Sequence, residues 1–564
     1  LADAEARLCA PGTIFEMETL RIAGVLTRTW KNQPRNLPTL AHWARDRFAK
    51  NTFAVLDEDR VTYGGWFRAA AALAEEMRRC GIARGDRVAL AMPNLPEWPV
   101  VFFAATSLGA IIVPLNAWWT GRELHYGLSD SGSAFLVCDE ERWNQIVPFV
   151  SRLPELRTIL VARASSCVLP ARALETVIGA PNAYETLPDR DLPRIDIDPE
   201  EDATIFYTSG TTGSPKGALG THRNILASTL VAAFNAHRAF IRRGENPPPL
   251  QKKVNLLVIP LFHVTACNSA MMAAIMTGGA LILMNKWNSL EALALIERER
   301  VTNTGGVPTV AWRLIENPDR RRFDLSSLEL ISYGGAPSAP ELVRRIKSDL
   351  GALPGNGWGM TETSGAVTLH SAEDYLSRPE SCGPALPISD IKIMSEDGGE
   401  ELPVGAVGEL WAAGPQIVKG YWRNPEATAE AFVNGWVRTG DLARIDEEGF
   451  CYIVDRAKDV IIRGGENIYS SEVENVLYGH PAVTDAAVIG IAHPTLGEEP
   501  AAVVHLEPGK EAREDELKQW VRERLAHFKV PVRIAICEAT LPRNANGKVL
   551  KMELQRYFKE SAAK

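Results

Sequence analysis

The residues at 207–217 read Tyr-Thr-Ser-Gly-Thr-Thr-Gly-Ser-Pro-Lys-Gly and follow an apolar run typical of a strand. Glycines let a backbone turn tightly and present successive N–H groups to an anion. Hydroxyls at Thr208, Ser209, Thr211, Thr212 and Ser214 add neutral donors, and Lys216 adds one positive charge. Gly210 and Gly213 supply the turns. This composition suits the cradling of phosphate groups. It is not a Walker loop, which needs G-x-x-x-x-G-K-[ST]. Pro215 stands where the second glycine belongs, and Gly217 replaces the metal-holding hydroxyl. Motor-type and kinase chemistry is therefore disfavoured.

Further stretches carry chemistry. Gly334-Gly335-Ala336-Pro337 follows an apolar run, and two glycines at a strand end permit close approach to a flat ligand. Asn356-Gly357-Trp358-Gly359-Met360-Thr361-Glu362-Thr363 combines a large aromatic face, hydroxyls and one carboxylate. Asp441 lies in Trp-Val-Arg-Thr-Gly-Asp-Leu, and a carboxylate accepts two hydroxyls at once. His263 lies in Pro-Leu-Phe-His-Val. Asn546-Gly547 is a tight-turn signal that presents Lys548 at an exposed tip.

Together these motifs resemble the signature set of the adenylate-forming superfamily: acyl-CoA synthetases, firefly luciferases and peptide-synthetase adenylation domains. The resemblance spans roughly residues 40–555, and the wording is most similar to bacterial fatty acyl-CoA synthetases. It implies an acid–thiol ligase that uses ATP, Mg²⁺ and CoA, adenylating a carboxylic acid and then forming acyl-CoA. It assigns residues 208–213, Lys216, 334–337, 356–361, Asp441, Arg456 and Lys548 to ATP or AMP. Trp358 stands where the family usually has a tyrosine stacked on adenine. Thr208 and Glu362 are implied as metal ligands, and Lys548, Thr208, Glu362 and His263 as catalytic groups. A hard carboxylate suits Mg²⁺, which keeps several waters and few protein ligands. Lys458 resembles the hinge between domains. Gly464, Gly465 and Glu466 resemble the loop that enters the site for thioester formation.

The resemblance also places the acid near His263, Val264, Cys267, Met271, Val307, Gly334 and Val367. That lining is apolar, so a medium- or long-chain fatty acid is expected, with a coumarate-type aryl acid second. Cys267 occupies the position of a gating tryptophan in some long-chain synthetases, which puts that gate in doubt. No aspartate near Phe262 offers to hold an amino group. An acyl-AMP ligase serving a carrier protein is a further alternative, although no insertion marks it and only sixteen residues follow Lys548. A luciferase-like oxidation and a non-enzymatic nucleotide-binding regulator rank below these.

The elements that must position these groups read as α/β. Apolar runs at 87–92, 134–138, 158–161, 203–207, 255–259, 280–284 and 328–332 suggest buried strands, with a helix over 66–79. Residues 99–113 are nearly all apolar, but Pro99, Gly109 and Pro114 interrupt or bound them. They are expected to form a buried helix and a short strand, with no membrane span. Residues 244–253 are Pro-rich and polar, a solvated loop. Strand signals at 408–412 and 451–454 suggest a β-rich lobe over about 390–455, completing a large N-terminal domain of layered α/β subdomains over 1–455. A small mobile α+β domain is expected over 456–564. In it, Ser471 and Glu474 suggest a capping box opening a helix at 472–478. Leu517, Trp520, Val521, Leu525 and Phe528 fit one helical face.

The chain has 564 residues, too many for one core, and a net charge of −9 from 61 Lys+Arg against 70 Asp+Glu. That balance argues against a nucleic-acid partner. Eight scattered cysteines without a C-x-x-C pair argue against structural zinc or a disulfide framework. Residues 1–30 carry no secretory signal pattern, so a cytoplasmic enzyme is expected. A homodimer stays open.

Overall fold

Aliphatic runs without a polar face become strands buried on both sides. A computed structural model describes residues 1–165, 170–208, 214–334, 340–507, 509–543 and 549–559. Among them, seven strands form a first sheet in the order Gly217–Thr221, Asp202–Tyr207, Ile111–Pro114, Arg87–Ala91, Phe135–Asp139, Thr158–Ala162 and Arg172–Ala173. Its pairings are parallel except at Asp202–Tyr207 with Gly217–Thr221. Eight strands form a second sheet: Gly365–Ser371, Leu353–Met360, Leu330–Gly334, Asn303–Gly306, Val254–Leu257, Ala280–Leu283, Thr52–Leu56 and Asp59–Thr62.

The helices Tyr63–Arg79 and Glu97–Ser107 lie between the two sheets. Trp66, Phe67, Trp98, Phe102 and Phe103 share one core with Val88 and Leu90 from the first sheet and Leu281 and Leu283 from the second. The alternate residues face outward cores: Ala89 and Ala91 join one, Ile282 and Met284 another. Period-2 alternation thus divides each apolar run between two helical layers. Each large aromatic buried here contributes roughly 1.5–3 kcal/mol. Every residue of Glu97–Ser107 is buried, so the helix carries no polar face. Gly109 then turns the chain at φ +67 into the strand Ile111–Pro114. No helix among the described residues is long and apolar enough to cross a membrane.

A third sheet holds Gly383–Pro384, Phe450–Arg456, Trp436–Ile445, Gly408–Ala413 and Asp390–Met394, with Phe432–Val433 at its side. It begins earlier than the expected residue 390, because Gly383–Pro384 pairs with Phe450 and Cys451. The last sheet joins Glu466–Ile468, Ile461–Arg463, Gly497–Leu506, Val483–His493 and Arg533–Cys537. Helices Ser470–Tyr478 and Glu514–Arg522 cover one face of it through Val473, Leu477, Leu517 and Val521. Leu554 and Phe558 cover the other.

Two local expectations need correction. The first helix of this last unit starts at Ser470, and neither Ser471 nor Glu474 forms a capping box. The Ser471 hydroxyl donates instead to the Val454 carbonyl. Glu474 accepts from the Val488 N–H at 2.9 Å and pairs with Lys551 at 2.8 Å. Tertiary partners outcompete the cap. The later helix ends at Arg522, and Leu525 and Phe528 reach the same core from the segment beyond it.

Candidate active site

The phosphate-loop motif springs from an antiparallel pair. Asp202–Tyr207 ends and Gly217–Thr221 begins at the same level, with Tyr207 opposite Gly217. The neck is closed by two bonds: Thr208 N–H donates to the Lys216 carbonyl at 2.9 Å, and Lys216 N–H to Thr208 Oγ1 at 3.2 Å. One helix, Gly121–Ser131, braces both legs. Tyr207 donates its hydroxyl to Asp130 at 2.6 Å, and Tyr126 donates to the Pro215 carbonyl at 2.9 Å. Ser209, Gly210, Thr211, Thr212 and Gly213 lie outside the described residues.

The second wall is the strand Leu353–Met360, which carries Asn356, Gly357, Trp358, Gly359 and Met360. Gly357 pairs with Gly334, while Gly335, Ala336 and Pro337 fall outside the described residues. At Gly359 a Cβ would stand 2.0 Å from the Gly365 carbonyl, so the backbones meet there only because no side chain intervenes. Trp358 is buried and donates its indole Nε1–H to Asp441 at 2.7 Å. Asp441 is paired in register with Arg456, whose guanidinium lies 3.4 Å from its carboxylate. The second and third sheets thereby bring Trp358, Asp441 and Arg456 together.

Thr361–Thr363 is a short 3-10 turn at the end of this strand. Glu362 on it is buried and accepts the Tyr421 hydroxyl at 2.7 Å. Burial raises its carboxyl above the ordinary value, opposed by the Tyr421 bond and by the charges of Arg456 and Lys216. Lys216 stands over the Tyr421 ring, 4.9 Å from its centroid. Lys216, the buried Glu362 and the Arg456–Asp441 pair thus share one electrostatic neighbourhood. The Glu362 carboxylate and a threonine hydroxyl such as that of Thr208 are hard oxygen donors of the kind that suits Mg²⁺. No cluster of three or more His, Cys, Asp or Glu able to hold a metal occurs among the described residues.

His263 accepts the Thr265 N–H on Nδ1 at 3.2 Å, just before a π-helical turn, Thr265–Met271. Val264, Cys267 and Met271 are buried in the central core, and burial raises the Cys267 thiol. Asn268 on this turn donates to the Ser364 carbonyl at 3.0 Å, tying it to the segment that follows Glu362. Val367 is buried beside Trp358 in a neighbouring core, and Val307 caps the helix Pro308–Ile315. Of the residues singled out for the acid, Val307 follows the strand end paired with Tyr333, next to Gly334, and Val367 lies on the strand paired with Leu353–Met360.

The remaining assignments sit on the last sheet and its approach. Lys458 follows Arg456 in the turn Ala457–Asp459, where burial, then the Arg456 charge, lower its ammonium. Arg463 pairs with Glu466 across Gly464 and Gly465, whose φ values of +60 and +90 make a primed hairpin turn. Lys548 lies outside the described residues. Sequence reasoning passed over Tyr421, Tyr126, Asp130 and Asn268. Each stands far along the chain from the group it supports, and none carries a periodic or motif signal.

Comparison with known proteins gives the family of the chain. Residues 40–422 match the model of the AMP-binding enzyme family, and residues 472–548 that of the AMP-binding enzyme C-terminal domain. A feruloyl-CoA synthase of Amycolatopsis sp. is 36% identical over 498 residues, covering 88% of this chain and 94% of that protein. A long-chain-fatty-acid–CoA ligase of Mycobacterium tuberculosis is 34% identical over 507 residues, covering 90% and 94%. The crystal structure of ATP-bound MatB from Rhodopseudomonas palustris superposes with a TM-score of 0.80 at 29% identity, covering 93% and 99%. The chain belongs to the AMP-binding enzymes, the adenylate-forming superfamily.

Proposed function

We propose, from that membership, that this chain is an AMP-forming acid–thiol ligase, converting a carboxylic acid to its acyl-CoA through an acyl-adenylate. The observation that carries this reading is the convergence of Lys216, Glu362, Trp358, Asp441 and Arg456 from three separate sheets on one neighbourhood.

The substrate carboxylate attacks the α-phosphorus of ATP, the P–O bond to the β-phosphate breaks, and pyrophosphate leaves. The carboxylate is already ionised at neutral pH, so His263 shapes the acid site and is not needed as a base. Residues 208–213 and Lys216 hold the departing phosphates. Trp358 stacks on the adenine, whose pocket residues 334–337 line, Thr361 touches the α-phosphate, Asp441 accepts ribose hydroxyls and Arg456 contacts the ribose or phosphate. Lys548 neutralises charge gathering between carboxylate and α-phosphate, an effect worth about 3–4 kcal/mol in preorganised sites. Glu362 and Thr208 would hold Mg²⁺, which supplies charge neutralisation on the phosphates when bound.

In the second half, residues 456–564 rotate about Lys458 as a domain against residues 1–455. Lys548 withdraws and the turn Gly464-Gly465-Glu466 takes its place. The CoA sulfur attacks the carbonyl, the mixed anhydride opens and AMP departs. Motion of this kind lets one site serve two reactions.

The apolar types of Val264, Cys267, Met271 and Val367, which the family resemblance sets around the acid, favour an acid with an apolar body, read here as a medium- or long-chain fatty acid. The likeness to a feruloyl-CoA synthase favours an aryl acid as the second reading. Incubation with ATP, CoA and a panel of fatty, hydroxycinnamic and amino acids, with thioesters identified by mass spectrometry, decides between them. Fatty acyl-CoA as the dominant product supports the first reading, and aryl-CoA the second. Products from amino acids alone would overturn both.

A further inference from the structure

Tyr421 lies outside every motif used above, yet it touches two of the groups assigned to the triphosphate. Its hydroxyl donates to Glu362 Oε1 at 2.7 Å, and its ring carries the Lys216 ammonium 4.9 Å from the centroid. The backbone around it is anchored on both sides. Lys419 N–H donates to the Leu219 carbonyl at 3.0 Å and Leu219 N–H to the Gly420 carbonyl at 2.9 Å. Trp422 N–H donates to the Gly217 carbonyl at 2.7 Å, so the segment adds to the edge of the strand leaving the phosphate loop. Val418 N–H donates to the Glu362 carbonyl at 3.0 Å. Tyr421 N–H is held by Thr428 Oγ1 at 2.9 Å. The segment therefore bridges the phosphate-loop strand and the turn bearing Glu362.

A buried carboxylate needs donors to hold its charge and fix its orientation, and a phenol donating to one oxygen does both. A cation above a tyrosine ring is attracted to the π face, which confines a long lysine side chain without neutralising it. We propose that Tyr421 is a positioning residue for the adenylation step. Its hydroxyl orients Glu362 toward the metal-bearing phosphates, and its ring holds Lys216 over the same phosphates. The proposal rests on the reading of Glu362 and Lys216 as nucleotide groups.

The two halves of the role separate by substitution. Tyr421→Phe removes the hydroxyl and keeps the ring, whereas Tyr421→Leu removes both. ATP binding to the full chain is measured by calorimetry in Mg²⁺ and again in EDTA, alongside Tm. The wild-type protein is expected to bind ATP more tightly with Mg²⁺. Y421F should lose about tenfold of that Mg²⁺-dependent gain, the size of one charge-assisted hydrogen bond. Its affinity in EDTA should stay within about twofold, because the cation–π contact survives. Y421L should lose affinity in EDTA as well. A Y421F protein with the wild-type ratio of the two Kd values overturns the proposal, as does an equal loss in both conditions with a lowered Tm. A wild-type protein that binds no ATP, or binds it without regard to Mg²⁺, overturns the underlying nucleotide or metal reading instead.

Discussion

Trp358 and Asp441 are joined by a buried hydrogen bond of 2.7 Å from the indole Nε1–H to a carboxylate oxygen. The residue expected to offer only a π face therefore also orients the carboxylate expected to bind ribose. Asp441 is held from the other side by Arg456 at 3.4 Å. A tyrosine carries its hydroxyl at the far end of the ring and has no ring N–H donor, so the tryptophan brings a contact of its own.

Trp358→Phe keeps an aromatic face and removes the donor. A buried hydrogen bond to a charged group is worth roughly 1.5–3 kcal/mol. The KM for ATP should rise about tenfold or more, with a smaller change in kcat. Steady-state kinetics over ATP concentration checks this, and an unchanged KM would mean that the indole donor does not orient Asp441 for the nucleotide.

The primed turn at Gly464-Gly465 predicts a split between half-reactions. Gly465 has φ +90, which a β-branched residue tolerates only with roughly 1–3 kcal/mol of strain. Gly465→Val should leave acid-dependent pyrophosphate release within about twofold, since the proposed mechanism gives that step the other arrangement of the small domain. Thioester formation should fall at least about tenfold, because the turn can no longer approach the thiol closely. Equal losses in both half-reactions would contradict the assignment.

Two buried histidines predict acid sensitivity of the fold. Burial pushes His222 and His370 down from 6.5 to about 4. His222 Nδ1 accepts the Leu37 N–H at 3.2 Å, a bond that protonation there would break, whereas His370 Nε2 donates to the Ser381 carbonyl at 2.8 Å, a bond that favours the charged ring and is outweighed by burial. With the folded value below the unfolded one, the unfolded chain takes up protons first. Their contribution is complete above about pH 6.5 and is lost as pH falls toward about 4, up to about 3 kcal/mol for each ring. Denaturant titrations at pH 7.5 and pH 5 should show this loss. His222→Asn and His370→Gln, which keep the acceptor and the donor respectively, should flatten the slope. An unaltered slope in the double variant would place the acid sensitivity elsewhere.

Much of the architecture was legible because aliphatic runs bounded by glycine and charge have few alternatives. Residues 99–113 became a buried helix and strand, as their proline and glycine boundaries implied. Lys216, Glu362, Trp358 and Asp441 could be singled out because the motifs around them resemble those of a known family. Their supports could not. Tyr421, Asp130 and Asn268 act through contacts fixed only by the packing of distant elements, and an isolated tyrosine or asparagine carries no local signal. The Ser471–Glu474 cap failed for a related reason. Short-range capping competes with tertiary partners, here Val454 and Lys551, that the local sequence cannot display.

The central claim is that an acyl-adenylate forms before any thiol is engaged. Isotope exchange between labelled pyrophosphate and ATP, measured without CoA across fatty and hydroxycinnamic acids, tests it most directly. The account predicts acid-dependent label in ATP that Lys548→Ala abolishes, with AMP and acyl-CoA produced by the wild-type protein once CoA is added. Absence of exchange with every acid, or label exchange that ignores the acid, would contradict it.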